Sequence, residues 1–193
     1  MKVCIVFCIL FFGISGILTA QNETSVTIGF HILAGGRYDN VRMCVGSPAG
    51  VKGGPIMDVY LDIRFPLNET DSLTLNIPVI RPILFGAAFN MLQFEPQVTY
   101  EHRIYMSDKP GFVVGAGLGI VFHYGPDYNS SPENRGPSFF SMGPLLTGSA
   151  GILLEGKRGT WIPGVKAFYS PIFSRDYTTG HIAGGGVELH YEF

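Results

Sequence analysis

Residues 55–65 read Pro-Ile-Met-Asp-Val-Tyr-Leu-Asp-Ile-Arg-Phe, with Met57, Val59, Leu61, Ile63 and Phe65 at every second position and Asp58, Tyr60, Asp62 and Arg64 between them. Successive side chains of a β-strand point to opposite faces, so this stretch is a strand with one apolar and one polar face. The same period returns over 90–106, where Leu92, Phe94, Val98, Tyr100 and Ile104 oppose Gln93, Glu95, Gln97, Thr99, Glu101 and Arg103. Working outward, the pattern predicts further strands over 23–33, 72–83, 112–124, 139–155, 161–171 and 181–193. Each is about 10 residues or longer, enough to cross a bilayer at a tilt.

The links between these strands alternate in length. Short turns follow the second, fourth and sixth strands: 66–71 with Asn-Glu-Thr-Asp, 107–111 with Asp-Lys-Pro-Gly, and 156–160 with Gly-Lys-Arg-Gly. The links at 34–54 and 125–138 are long. An even number of strands with short turns at one end and long loops at the other predicts an all-β fold, an eight-stranded antiparallel up-and-down transmembrane β-barrel.

Alternation alone does not say which face is inside, because a secreted lipocalin-like barrel alternates too, with its apolar face inward. The polar face here carries Gly115, Gly117, Gly119, Gly143, Thr147, Ser149, Gly151, Gly184 and Gly186. A solvated surface carries more Lys and Glu, whereas the interior of a small barrel needs small residues opposite large ones. The polar face is therefore read as the interior. The apolar face then meets lipid, with one aromatic belt at the turn end (Phe65, Phe112, Trp161, Tyr191, Phe193) and another at the loop end (Phe30, Phe94, Phe122, Tyr124, Phe140, Tyr169).

At the last strand, Val187, Leu189, Tyr191 and Phe193 resemble the closing strand of bacterial outer-membrane proteins. That strand ends in an aromatic residue, with apolar residues at every second position before it, and is read by the barrel assembly machinery. In size and strand pattern, residues 21–193 are similar to the small eight-stranded porin-like barrels of the OmpX, OmpA and OmpW type. The resemblance implies the bacterial outer membrane as location, its lipid and the assembly machinery as partners, and a monomer.

Composition agrees with this class. The 193 residues are 46% apolar and 15% charged, with 26 glycines and a formal net charge of -2, and mean hydropathy is +0.26. These values exclude a disordered chain and give no basic footprint for nucleic acid. Lys2 followed by the apolar run 3–18 and Ala20 predicts a secretory signal peptide over residues 1–20, with the barrel over 21–193. Cys4 and Cys8 depart with the signal, and Cys44 alone forms neither an intrachain disulfide nor a zinc site. Pro78, Pro82, Pro96, Pro144 and Pro163 sit inside the strands and each removes a ladder donor. With Arg81 breaking the alternation, the third strand is expected to bulge or end near Ile80.

The interior face is expected to hold Asp58, Asp62, Glu95, Glu101, Glu155, Glu188 and Glu192 against Arg64, Arg103 and Lys166, with His31, His123 and His190 nearby. Charges inside a narrow barrel must pair, because an isolated buried charge is very costly. Lys166 and Glu188 are expected as neighbours. The acid excess leaves open a cation-preferring pore or a proton-sensitive gate.

Catalytic, cofactor and metal residues are not nominated. Lipid deacylation needs His-x-Ser on a lipid-facing strand, and none occurs; the one Asp-Ser pair, Asp71 and Ser72, falls in a turn rather than at the loop end. Asp127, Asn129, Ser131 and Glu133 only faintly resemble a calcium loop, since Pro132 replaces the usual Gly. The Gly-Ala-Gly-Leu-Gly run at 115–119 lies mid-strand, so packing explains it better than dinucleotide binding. Arg37, Arg42 and Lys52 are candidate contacts of the first loop with lipid phosphate or a host surface. The expected role is structural or surface-interacting, through the loops. A narrow pore or transporter for small or hydrophobic solutes is the alternative, and a lipid-modifying enzyme the third.

Overall fold

The computed structural model describes residues 25–39, 53–80, 92–107, 109–126, 137–175 and 180–193. The residues expected as a signal peptide, Arg42, Cys44, Lys52, Arg81, Pro82 and the 127–136 segment lie outside them. The alternating stretches form β1 (Thr27–Asp39), β2 (Gly54–Pro66), β3 (Asp71–Ile80), β4 (Leu92–Phe94), β5 (Gln97–Met106), β6 (Lys109–Pro126), β7 (Ser138–Gly156), β8 (Gly159–Ser174) and β9 (Gly180–Glu192). β4 and β5 are two lengths of one stave. They pair with β6 in a single register, Phe94 opposite Phe122 and Gln97 opposite Gly119. The break falls at Pro96, which has no N–H to give but whose carbonyl accepts from Ile120 N at 3.1 Å.

Every stave pairs antiparallel with the next, and β1 pairs with β9 from Gly29↔Glu192 to Asp39↔Ile182. Among the described residues the ring of strand pairings closes: it is an eight-stranded up-and-down barrel. Along this closing seam Gly35 and Gly36 face Gly186 and Gly185. A Cβ on Gly35 would lie 2.6 Å from Gly186 Cα, so the two backbones approach as only glycine allows. The seam carries β1 past residue 33 to Asp39, further than the apolar alternation of its sequence extends.

The prolines mark the gaps in the ladders. Val59 pairs with Ile80 and Tyr60 with Pro78, which leaves Val79 as a bulge where the third strand was expected to become irregular. Between β7 and β8, pairing lapses around Pro144 and Pro171, and again around Pro163, while the register on either side stays the same.

Burial settles which face is inside. His31, Ser72, His123 and Ser141 are 0% exposed, whereas Leu118 is 66%, Val187 64% and Phe193 70% exposed. This inversion is the signature of a barrel whose outer solvent is hydrocarbon. The interior is not uniformly polar. Val121, Phe139, Leu145, Ile172 and Ile182 form an apolar cluster with Phe168 beside it, and Val113, Leu153 and Ile162 form a second. Polarity along the strands did not reveal these inward apolar residues, all but one of which lie on β6, β7 and β8.

The aromatic belts need one correction. Phe30 sits at the turn end, because β1 starts there: its ring is 5.9 Å from Tyr191 and 6.0 Å from Phe193. Trp161 joins the same group, 4.5 Å from Tyr191. At the other end Phe122 packs near Phe140 at 6.4 Å, and Tyr169 stacks with His181. The first turn is tied by Asn68, whose side-chain oxygen accepts from the amides of Thr70 (2.8 Å) and Asp71 (2.7 Å).

Leu118 lies midway between Phe112 and Tyr124 on the outer face of β6. Leu118→Arg is expected to destabilise the barrel by about 2–4 kcal/mol in a bilayer. Denaturant unfolding in lipid vesicles, followed by the fluorescence of Trp161, measures it; an unchanged midpoint would mean that this face does not meet lipid.

Candidate functional site

The interior side chains fall into three tiers along the barrel axis. Nearest the turns, Arg64 Nε donates to Ser72 Oγ at 2.9 Å and stands 4.0 Å from Glu101. Ser72 Oγ in turn donates to Glu101 at 3.4 Å. Arg103 bridges Glu101, at 3.8 Å, and Glu192, with which it makes a short charge-assisted hydrogen bond. Two guanidiniums and two carboxylates thus close this end.

The middle tier is organised by Asp62 on β2. Its carboxylate accepts His31 Nδ1 (2.7 and 2.9 Å) and Asn76 Nδ2 (2.7 Å), and lies 3.3 Å from His190 Nδ1. Thr99 Oγ1 donates to Asn76 Oδ1 at 2.7 Å, extending the network to β5. The rings of Tyr60, His31 and His190 stack at 4.3 and 4.2 Å. His190 Nε2 is 3.1 Å from Glu188.

Nearest the loops, Arg37 donates to Gln93 Oε1 at 2.9 Å and stands 3.5 Å from Glu95. Glu95 is also 3.1 Å from His123 Nε2. Asp58 receives the Tyr60 hydroxyl at 3.5 Å. The space left among Leu33, Asp58, Tyr60, Glu95, Lys166 and Phe168 is about 10 Å³, about the least that holds one water.

Asp58, Asp62, Glu95, Glu101, Arg103, Lys166 and Glu188 are all buried, and Arg64 nearly so. Two readings of the sequence change. Glu155 is exposed, because the β7–β8 hairpin carries it past the inward Leu153 into the turn. Arg37, read as a loop contact, points into the barrel and is 9% exposed, since β1 continues through it with His31 and Leu33 on the same face. Lys166 and Glu188 are diagonal neighbours, as expected, on the inner face of β8 and β9, with Lys166 opposite Gly186 and Glu188 opposite Gly164. The Lys166 ammonium sits 5.1 Å over the Tyr60 ring, while Glu188 meets His190.

Sequence reasoning placed His31 and His190 near the interior without seeing that β1 and β9 set them directly opposite one another. Of the outward residues, His181 Nδ1 is 2.7 Å from the Tyr169 hydroxyl. Val187, Leu189, Tyr191 and Phe193 share the outer face, and Phe193 N donates to Ile28 O at 3.1 Å. The glycine run 115–119 lies within β6.

The fold and the packed lumen define a class: an eight-stranded transmembrane β-barrel. No protein-family model and no curated relative matches the sequence. Among solved structures, the chain is similar to the crystal structure of Neisserial surface protein A (NspA), with a TM-score of 0.52 and 6% identity over 88% of this chain and 100% of that one. It is also similar to the N-terminal β-barrel domain of Pseudomonas aeruginosa OprF (TM-score 0.41, 10% identity, 86% of this chain and 97% of that one). A third is Ail, the attachment invasion locus protein of Yersinia pestis (TM-score 0.43, 13% identity, 87% and 97%). At these identities the likeness to NspA is one of fold.

Replacing Arg103 by Met leaves Glu101 and Glu192 facing each other without their shared cation. Removing one partner of a buried ion pair costs about 3–5 kcal/mol, and a loss of that size is expected in the unfolding free energy of Arg103→Met. The double variant Arg103→Met, Glu192→Leu should recover part of it, which a denaturant titration of the three proteins checks.

Proposed function

We propose that this chain is exported by residues 1–20 and assembles as a monomeric barrel in a bacterial outer membrane, where its role is non-enzymatic. It acts as a structural or surface-interacting barrel whose loop end faces outward. The observation that carries this reading is the filled lumen beneath an apolar outer wall. Charge pairs occupy all three tiers, and the space among Leu33, Asp58, Tyr60, Glu95, Lys166 and Phe168 is about 10 Å³, too small for a hydrated ion.

The direction of the strands supports the second half. The links after Asp39, Ile80, Pro126 and Ser174 leave from one end, and those after Pro66, Met106 and Gly156 turn back at the other. The four links at the loop end are the longer ones, and with the lumen closed they are the part of the chain free to meet a partner. Arg42 and Lys52 remain candidates there for contact with lipid phosphate or a surface. Val187, Leu189, Tyr191 and Phe193 serve as the signal for the barrel assembly machinery.

Expressed in a diderm host, the full chain should stay in carbonate-washed outer membrane and migrate faster unboiled than boiled. In planar bilayers neither the native barrel nor Asp62→Ala should carry a steady single-channel current, and lipid A mass should not change on expression. A sustained current altered by Asp62→Ala would move the assignment to a narrow transporter. An epitope inserted within 81–91 should be labelled on intact cells. Phe193→Ser should lower the heat-modifiable fraction several-fold while synthesis continues, and an unchanged fraction would remove the assembly signal from that residue.

A further inference from the structure

We propose that the lumen binds one divalent transition-metal ion of the zinc class, held by His31, Glu188 and His190. One ligand atom from each of these residues falls within 4.8 Å of the others. They come from β1 and β9, the two strands that close the barrel.

The tautomers are set by Asp62. Its carboxylate takes the Nδ1 proton of His31 at 2.7 Å and faces His190 Nδ1 at 3.3 Å, and a carboxylate so placed fixes the proton on Nδ1 and leaves Nε2 as a lone pair. This is the carboxylate–histidine arrangement that orients metal-ligating imidazoles and raises their basicity. His31 is fully buried, and among the described residues its Nε2 has no hydrogen-bond partner. A buried nitrogen left in that state is costly and asks for a ligand. A second proton on His190 would satisfy its 3.1 Å contact with Glu188 and still leave His31 Nε2 alone. One cation satisfies all three atoms.

Two imidazoles and one carboxylate match zinc and its neighbours better than calcium or magnesium, which prefer oxygen. The negative charges of Asp62 and Glu188 balance a dication. With ligand bonds of ~2.0–2.2 Å, the ligand atoms must draw together by roughly an ångström, which opens the His31–His190 ring stack. A fourth position remains for water.

The test uses the full chain, without a polyhistidine tag, extracted folded from the outer membrane and stripped with a chelator. Titration with zinc should reach one ion per folded barrel and raise the thermal unfolding midpoint. Cobalt should give the visible absorption bands of a nitrogen–oxygen site. Glu188→Gln and His31→Gln should each weaken zinc binding at least tenfold while the protein still migrates faster unboiled. His102→Ala, which removes a surface histidine beside Asp71, should leave binding unchanged. The proposal fails if the folded barrel takes up no zinc, or if His102→Ala abolishes uptake while His31→Gln leaves it intact. Should both lumen variants fail to fold, the native cobalt spectrum decides, and absence of the bands overturns the site.

Discussion

The structure depends on the ladder between β1 and β9. Within a bilayer an unpaired backbone amide or carbonyl costs several kcal/mol, because no water is there to replace its partner. A sheet can meet that demand only by closing on itself. Closure joins β1 to β9, and Gly35, Gly184 and Gly186 permit it by letting the two backbones approach without side chains between them. The same demand explains where the prolines lie. Pro96 interrupts a stave whose register continues past it, Pro78 sits beside a bulge, and Pro144, Pro163 and Pro171 fall in gaps of one ladder whose register they leave intact.

Closing an eight-stranded sheet fixes the width of the lumen, and the width decides what the interior can be. A barrel of this size is filled by side chains, so the polar face cannot be left to water and its charges must meet each other. The wall is therefore divided. Charged and hydrogen-bonding residues concentrate on β1 to β5 and β9, while β6, β7 and β8, apart from His123 and Lys166, present glycines, small hydroxyls and two apolar clusters. Gly115 and Gly117 on β6 are close to Ser149, Thr147 and Thr99, with no room for larger residues. Bulk on one wall and its absence on the other are the same constraint seen from two sides.

The period-two pattern made most of the fold legible, because alternation is a local property and each strand carries it without reference to its neighbours. Strand ends were legible to within a few residues wherever a turn supplied Asn, Asp, Gly or Pro. Height along the barrel axis was not. Whether Phe30 belongs to the turn-end belt, whether Arg37 stands in a loop or in the lumen, and whether Glu155 passes the rim all depend on where a strand begins and how far its neighbours carry it. Those are pairing properties, absent from any single strand. Val121, Phe139 and Ile172 escaped notice for a related reason: an apolar residue at an inward position looks like noise in the alternation until the facing wall is known to be apolar as well.

The middle tier shows why the candidate site is harder to read than the barrel around it. Asp62, His31, His190 and Asn76 come from β2, β1, β9 and β3, four consecutive staves across the closing seam. In an unclosed sheet His190 is separated from Asp62 by most of the circumference, so the histidine pair and the His190–Asp62 contact exist only once β9 docks on β1. The His190–Asp62 contact therefore acts on closure itself: it is gained only when the seam forms, whereas the bonds of Asp62 to His31 and Asn76 lie within the paired strands β1, β2 and β3. A contact of this kind stabilises the closed barrel against opening at the join between the most distant parts of the chain. The chemistry of the lumen and the integrity of the barrel are in this sense one property, carried by the same residues.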